Sequence, residues 1–218
     1  MGSSAADLAI RHWSATPLYI SEEERYGFYP WLPEAAEFSG HRGERVLEIG
    51  CGTGCDLLQF AKHGAIATGV DITPTHLRLA RQRVANMATV VEADGRSLPF
   101  PDGSFDYVYS HGVLHHSDEP RKIVEEIFRM LRPGGRFNVH VYALISYDTL
   151  WALLRYGRDW KLHIENSADP VHIEMNTGRS LRNLFAPARL QINKHQCRPS
   201  ELLAPWFGWF LVAKGQRP

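Results

Sequence analysis

One stretch, Val46-Leu-Glu-Ile-Gly-Cys-Gly-Thr-Gly54, constrains this chain more than any other. An apolar run meets three glycines at alternate positions, and Asp56-Leu-Leu-Gln-Phe-Ala61 follows at once. The pattern predicts a buried strand, a tight turn and a helix. Glycine lets backbone approach a ligand where any Cβ would collide with it. The helix that follows offers its first, unpaired N–H groups to that ligand.

Downstream, the same rhythm recurs. The helix over 56–63 is closed by Gly64, and a second strand over 66–70 is ended by Asp71. Thr73 and Pro74 supply an N-cap and a proline at the first helical position. Leu77, Ala80 and Val84 follow at helical spacing. A third strand over 89–91 runs into Glu92-Ala93-Asp94, and a fourth over 107–109 into Ser110-His111-Gly112. A helix opens at Pro120 with Ile123, Val124, Ile127, Phe128 and Leu131 on one stripe, and Pro133-Gly134-Gly135 stops it. A fifth strand covers 137–142, helices follow over 147–156 and 180–185, and two final strands are expected over 190–193 and 207–212. Strands alternating with helices imply βαβ units, hence an α/β, doubly wound, parallel sheet. Ligands of such sheets bind beyond the carboxyl ends of the strands, at the topological switch point. The glycine turn, Asp71, Asp94 and His111 all stand at such ends and should converge on one crevice.

Composition narrows the partners. The 24 Lys and Arg balance the 24 Asp and Glu, so no broad basic footprint for nucleic acid is present. Cys51, Cys55 and Cys197 are too few for a disulfide framework, which fits a reducing cytoplasm. Residues 1–11 lack the charged and apolar regions of a secretory signal, and Ala6 stands where a myristoylation signal has Ser or Thr. No apolar run approaches the roughly 18 residues of a membrane helix, so no membrane insertion is expected. The 218 residues read as a single domain. Its segments are an aromatic-rich, irregular stretch with short helical possibilities over 1–43, a helix and loop packed over the core or a lid, a ligand-binding core over 44–142, and a substrate-side segment over 143–218.

The spacing also discriminates among ligands. A dinucleotide fingerprint beginning at Gly50 and Gly52 needs a small third residue where Cys55 stands. A phosphate-binding Walker loop needs a terminal Gly-Lys-Ser or Gly-Lys-Thr, and no Lys or Arg lies between Val46 and Gln59. A nucleoside with a compact zwitterionic tail and no phosphate fits better. Asp71 lies 21 positions after Gly50, an offset that suits a carboxylate accepting both ribose hydroxyls. Asp94 could accept from an adenine amino group. Glu48 would repel phosphate and could face an ammonium.

The motifs Glu48-Ile-Gly-Cys-Gly-Thr-Gly54, Gly69-Val-Asp-Ile72, Ala93-Asp-Gly95, Leu98 to Asp106, Val113-Leu-His-His116 and Leu131-Arg-Pro-Gly-Gly135 together resemble those of the class I S-adenosylmethionine-dependent methyltransferases. The small-molecule branch that includes enzymes of ubiquinone and menaquinone biosynthesis is the most similar, over residues 44–142. The resemblance implies a Rossmann-like seven-stranded sheet, mostly parallel with an antiparallel final hairpin. It implies S-adenosylmethionine as cofactor, S-adenosylhomocysteine as product, and a small, partly apolar methyl acceptor. It assigns the ribose to Asp71, the adenine to Asp94 and Gly95, and the methionine portion to the glycine loop with His111. The candidate cofactor-binding set is thus Glu48, Gly50, Cys51, Gly52, Thr53, Asp71, Ile72, Asp94, Gly95 and His111.

Methyl transfer is an in-line displacement, so the enzyme aligns the nucleophile and removes its proton where needed. His116, just beyond the fourth strand, is the candidate general base. Tyr19 or Tyr26 could orient it. The bland alternative has His115 and His116 packing against the next helix. His111 and His115 lack any metal-ligand pattern, so no metal is expected. The residues after the fourth strand, Ser110-His111-Gly112-Val113, are not the Asn/Asp-Pro-Pro-aromatic motif of enzymes that methylate nucleic-acid amino groups. Tyr142, Tyr147, Trp151 and Trp160 are expected either as an apolar substrate wall or, equally, as core. The competing readings are a non-catalytic S-adenosylmethionine-binding protein and a nicotinamide oxidoreductase.

Overall fold

Every strand expected from the sequence joins one sheet. The computed structural model describes residues 5–15, 20–163, 172–196 and 208–218. Its strands are β1 (Arg45–Ile49), β2 (Ile66–Asp71), β3 (Thr89–Glu92), β4 (Phe105–His111), β5 (Leu131–Tyr142), β6 (Gln191–His195) and β7 (Phe210–Gln216). The helices are α1 (Ala5–Ala15), α2 (Glu22–Phe28), α3 (Leu32–Ala36), α4 (Cys55–Lys62), α5 (Pro74–Val84), α6 (Pro120–Met130), α7 (Tyr147–Tyr156) and α8 (Gly178–Leu184). The sheet order is β3-β2-β1-β4-β5-β7-β6. The first five strands pair in parallel, and β7 pairs antiparallel with both β5 and β6. The chain leaves β1 toward β2 and returns to β1's other side as β4, so the glycine turn sits at the switch point.

Side-chain alternation splits the core in two. Val46 faces one way, with Leu57, Phe60, Leu77 and the N-terminal Leu32 and Ala36. Leu47 and Ile49 face the other, with Ile123, Ile127, Leu181 and Phe185. The stripe on α5 is buried as its spacing predicts: Leu77, Ala80 and Val84.

One local expectation needs correction and two are sharpened. The short helices expected within 1–43 form α2 and α3. Ser21 and Glu24 form a reciprocal capping box, the side chain of each accepting from the other's backbone N–H. Leu131 begins β5 rather than ending the α6 stripe. Pro133 disfavours helix in the residue before it, and Leu131 pairs with Phe105 instead. Between there and the Tyr107–Arg136 pair, Pro133-Gly134-Gly135 loops out of register. On α7, Leu150, Leu153 and Leu154 are exposed, and only Thr149 and Ala152 are buried. Tyr19, Cys197 and the expected start of the last strand at position 207 lie outside the described residues.

Candidate functional site

The carboxyl ends of β1, β2 and β4 and the loop after β3 meet in a cavity of about 360 Å³. All ten candidate cofactor residues and His116 line it. Five carboxyl groups line it too, those of Glu48, Asp56, Asp71, Asp94 and Asp118, against only two guanidinium groups, Arg25 and Arg96. That balance favours a cationic ligand over a polyphosphate.

The glycine turn is built by three different necessities. Gly50 has φ +74, and a Cβ there would stand 2.1 Å from Cγ2 of Val113. Gly54 has φ +79, and its Cβ would press on Cα of Ala80 at 3.2 Å, so this glycine serves helix packing. Gly52 has φ +52 with open space where its Cβ would be, so it alone is kept bare on the cavity side. The turn is pinned to β2, since Gly50 N–H and Cys51 N–H both donate to the Val70 carbonyl, at 2.8 and 2.9 Å.

Asp71 pins it again. One carboxylate oxygen accepts from Gly52 N–H and the other from Thr73 N–H, each at 2.8 Å. Each oxygen keeps a further lone pair for a ligand. Asp94 is held by its neighbour. Partial burial pushes its carboxyl up, but hydrogen bonds from Arg96 prevail and hold it below the ordinary value. Arg96 also reaches Asp118 and Glu119, at 3.2 Å each.

Glu48 is the anomaly. It is buried, and its Oε2 has no hydrogen-bond partner among the described residues. Burial, with the nearby Asp56 carboxylate, pushes its pKa well up. An uncompensated buried carboxyl on a cavity wall matches a ligand ammonium.

The N-terminal segment completes the wall through a buried network that the sequence did not reveal. Arg25 on α2 grips Asp56, at the start of α4, with Nε and Nη2 at 2.7 and 2.6 Å. The hydroxyls of Tyr26 and Tyr109 donate to the same carboxylate at 3.0 and 3.1 Å. Burial pushes the Asp56 carboxyl up, and Arg25 more than offsets it, holding the group low. Tyr26 therefore orients Asp56 and no histidine. Sequence spacing could not find the Arg25–Asp56 pair, whose members are 31 residues apart.

His116 lies on the cavity wall, and His115 is buried against Tyr142 with ring centroids 3.9 Å apart. The His172 carbonyl accepts from Nδ1 of His116 at 3.0 Å, which makes Nε2 the lone-pair nitrogen. Burial lowers the His116 pKa to about 4, so the ring is neutral at physiological pH. Trp13 of α1 packs edge-on against it at 5.3 Å. Burial also lowers the pKa of His111 well below its ordinary value. Burial pushes the Cys51 thiol well up and the Cys55 thiol to about 11, so neither is a thiolate nucleophile.

The aromatic wall differs from the expected one. Tyr142 lines the cavity, whereas Tyr147 and Trp151 are exposed on α7 and Trp160 is not in the lining. Tyr29, Phe210 and Trp13 line it instead. No periodic signal marks these three, because the fold brings them from opposite ends of the chain.

Residues 47–139 match a family described as a methyltransferase domain. A sterol 4-C-methyltransferase of Caenorhabditis elegans is 38% identical over 147 residues, which are 65% of this chain and 41% of that protein. A demethylmenaquinone methyltransferase of Clavibacter sepedonicus is 41% identical over 96 residues, 43% of this chain and 39% of that protein. The chain thus spans about two fifths of the length of these curated relatives. Among solved structures, a SAM-dependent methyltransferase of Thermotoga maritima has the same fold. Its TM-score is 0.69 at 20% identity, covering 99% of this chain and 100% of that one.

Proposed function

We infer that this chain, whose core belongs to the class I S-adenosylmethionine-dependent methyltransferases, transfers a methyl group from that cofactor to a small, partly apolar molecule. The observation that carries the reading is the acid-rich cavity around a bare glycine turn, with Glu48 buried and its Oε2 unpartnered among the described residues. S-adenosylmethionine supplies an electrophilic methyl on a sulfonium and leaves as S-adenosylhomocysteine. The chain's own residues bind and align it. Glu48 receives the ammonium, while Gly50, Cys51, Gly52, Thr53 and His111 surround the methionine portion. The remaining lone pairs of Asp71 take the ribose hydroxyls, Ile72 packs beside the adenine, and Asp94 and Gly95 face its polar edge. His116, with Nε2 as its lone-pair nitrogen, is a candidate proton acceptor.

Three supports favour an apolar small-molecule acceptor: the aromatic wall of Tyr29, Tyr142 and Phe210, the names of the sterol and demethylmenaquinone relatives, and the zero formal charge. The zero charge speaks against nucleic acid. We read residues 1–218 as one methyltransferase domain, with 1–43 as a lid segment, 44–142 as the cofactor core and 143–218 as the substrate side. Cysteine usage supports the cytoplasm, and no helix among the described residues is long and apolar enough to cross a membrane.

Calorimetry with S-adenosylhomocysteine and NAD tests the reading directly. The expected result is binding of the first, weakened about 10- to 150-fold in Asp71→Ala by the loss of charge-assisted hydrogen bonds of about 1.5–3 kcal/mol. Binding of NAD alone, or unchanged affinity in a folded Asp71→Ala, sinks it. Cofactor binding with no turnover on any acceptor would favour a binding protein.

A further inference from the structure

Ten large apolar side chains stand exposed among the described residues, and seven of them fall between Leu144 and Leu154. Most belong to α7. Tyr147, Leu150, Trp151 and Leu154 follow at i, i+3, i+4 and i+7, so they form one stripe along the helix, 50% to 79% exposed. Single apolar residues on a surface are ordinary, but a contiguous patch marks an interaction site.

A surface helix normally buries such a stripe and turns its polar residues to water. This one does the reverse, because polar bonds fasten its inner face. The Ser146 hydroxyl accepts from Thr149 N–H at 3.0 Å, and the Thr149 hydroxyl donates to the Ala143 carbonyl at 3.3 Å. Asp148 accepts from Nε2 of Gln196, just beyond β6, at 2.8 Å. Thr149 and Ala152 are the buried residues of the helix. The outward stripe is therefore built in by these bonds and is not a product of loose packing.

Three features say what covers it. Tyr147 and Trp151 each join an apolar ring to one polar tip, the chemistry of the boundary between lipid headgroups and acyl chains. Cations flank the leucines. Arg155 in the last turn and Arg158 just beyond it are exposed, and Nζ of Lys194 donates to the Ile145 carbonyl at 3.1 Å. The nearby carboxylates are Asp148, already bonded to Gln196, and Asp159, so the rim is net positive. The ten residues of α7 span about 15 Å, half of a hydrocarbon core of about 30 Å, so the helix can lie in a bilayer surface and cannot cross it. A protein partner fits less well. Protein interfaces carry about one hydrogen bond per 100–200 Å², and the only side-chain donors of the stripe are the Tyr147 hydroxyl and the Trp151 indole N–H.

We propose that α7 docks this chain on an anionic lipid surface, with Tyr147, Leu150, Trp151 and Leu154 sunk to the headgroup–acyl boundary and Arg155 and Arg158 against lipid phosphates. The patch begins at Leu144, two residues beyond Tyr142, which lines the cavity. Docking thus brings the Tyr142 side of the cavity toward the lipid. On the methyl-transfer reading, an acceptor dissolved in that lipid has a short path to the site; the docking itself rests on the surface alone.

The test uses the full chain and sucrose-loaded vesicles, one set of phosphatidylcholine and one of equal parts phosphatidylcholine and phosphatidylglycerol. The chain should sediment with the mixed vesicles, less with phosphatidylcholine alone, and less as salt rises. Leu150→Glu with Leu154→Glu should lose about tenfold or more in partitioning while keeping its Tm and its affinity for S-adenosylhomocysteine. Arg155→Gln with Arg158→Gln should lose only the preference for anionic lipid. Lipids brominated on their acyl chains should quench the tryptophan fluorescence of wild type, and less that of Trp151→Phe. No sedimentation with either vesicle, equal partitioning in the double Glu variant, or equal quenching in Trp151→Phe would each overturn the proposal. So would a chain that is dimeric in solution, turns monomeric in Leu150→Glu with Leu154→Glu and leaves vesicles alone, since a second copy then covers the stripe. Vesicle binding by a wild type that ignores S-adenosylhomocysteine would leave the docking standing and remove the methyl-transfer reading.

Discussion

Arg25→Leu tests how the N-terminal segment is fastened to the cofactor loop. The side chain makes two hydrogen bonds to Asp56, a carboxylate only 1% exposed. Leucine keeps much of the stem but leaves that carboxylate to two phenol hydroxyls. Removing one partner of a buried ion pair costs about 3–5 kcal/mol, because the other charge stays buried. In a chain of this size each kcal/mol shifts Tm by about 2–4 °C, so scanning calorimetry should record a drop of roughly 6–20 °C. The pH dependence has a definite sign. In the wild type Arg25 holds the Asp56 carboxyl low, so the pair's stabilisation is present above the ordinary carboxylate pKa and is lost as pH falls through the lowered one. In Arg25→Leu burial is far less opposed and the carboxyl rises. The deficit should then be largest near neutral pH and shrink toward about pH 4, where carboxyls protonate. The double variant Arg25→Leu with Asp56→Leu should recover most of the loss, since an apolar pair can replace a buried ionic one. A loss below about 1 kcal/mol that ignores pH is the behaviour of a surface pair, and it would refute the idea that this network anchors the segment.

Other expectations follow from single contacts. Burial raises the Glu48 pKa; an ammonium beside it pulls that pKa down, so S-adenosylhomocysteine binding near neutral pH should release protons. Calorimetry in buffers of different ionisation enthalpy should detect the release in wild type and not in Glu48→Gln, and equal release in both would remove Glu48 from the ammonium site. Gly50→Ala places a Cβ 2.1 Å from Val113 at positive φ, so urea unfolding should show a loss of about 2–5 kcal/mol from overpacking and left-handed backbone, partly restored by Val113→Ala. A loss under about 1 kcal/mol would contradict the steric account. His116→Ala should slow turnover while sparing cofactor binding, and an unchanged rate would leave this histidine a packing role.

The strand ends could be read in the sequence because the signals there are local. A glycine whose φ is positive, an acid that stops a strand and a proline that opens a helix each sit beside the feature they determine. That is why Gly50, Asp71 and Asp94 could be expected in one crevice. Local reading failed where two propensities met at one residue. Leu131 fits the α6 stripe, but Pro133 disfavours helix at Arg132, and Leu131 pairs with Phe105 at the start of β5. It also passed over Ser21 and Glu24, a capping box hidden in an aromatic-rich stretch. The wrong half of the aromatic wall has a different cause. Trp151 and Tyr147 belong to a helix with an apolar composition, and nothing in composition says that only its Thr149 and Ala152 would turn inward.

What remains illegible has a shared geometry. The cavity's aromatic residues that sequence reading did not assign, and the Arg25 that closes its wall, come from outside the repeating βαβ units: Trp13, Arg25 and Tyr29 from the N-terminal segment and Phe210 from the last strand. Those segments reach the site only because the sheet folds back through β7 and because Asp56 catches Arg25. The residues around the glycine turn can therefore be written in one stretch of chain, near the turn itself. The aromatic wall we propose for the acceptor is assembled across 181 residues, the separation of Tyr29 from Phe210.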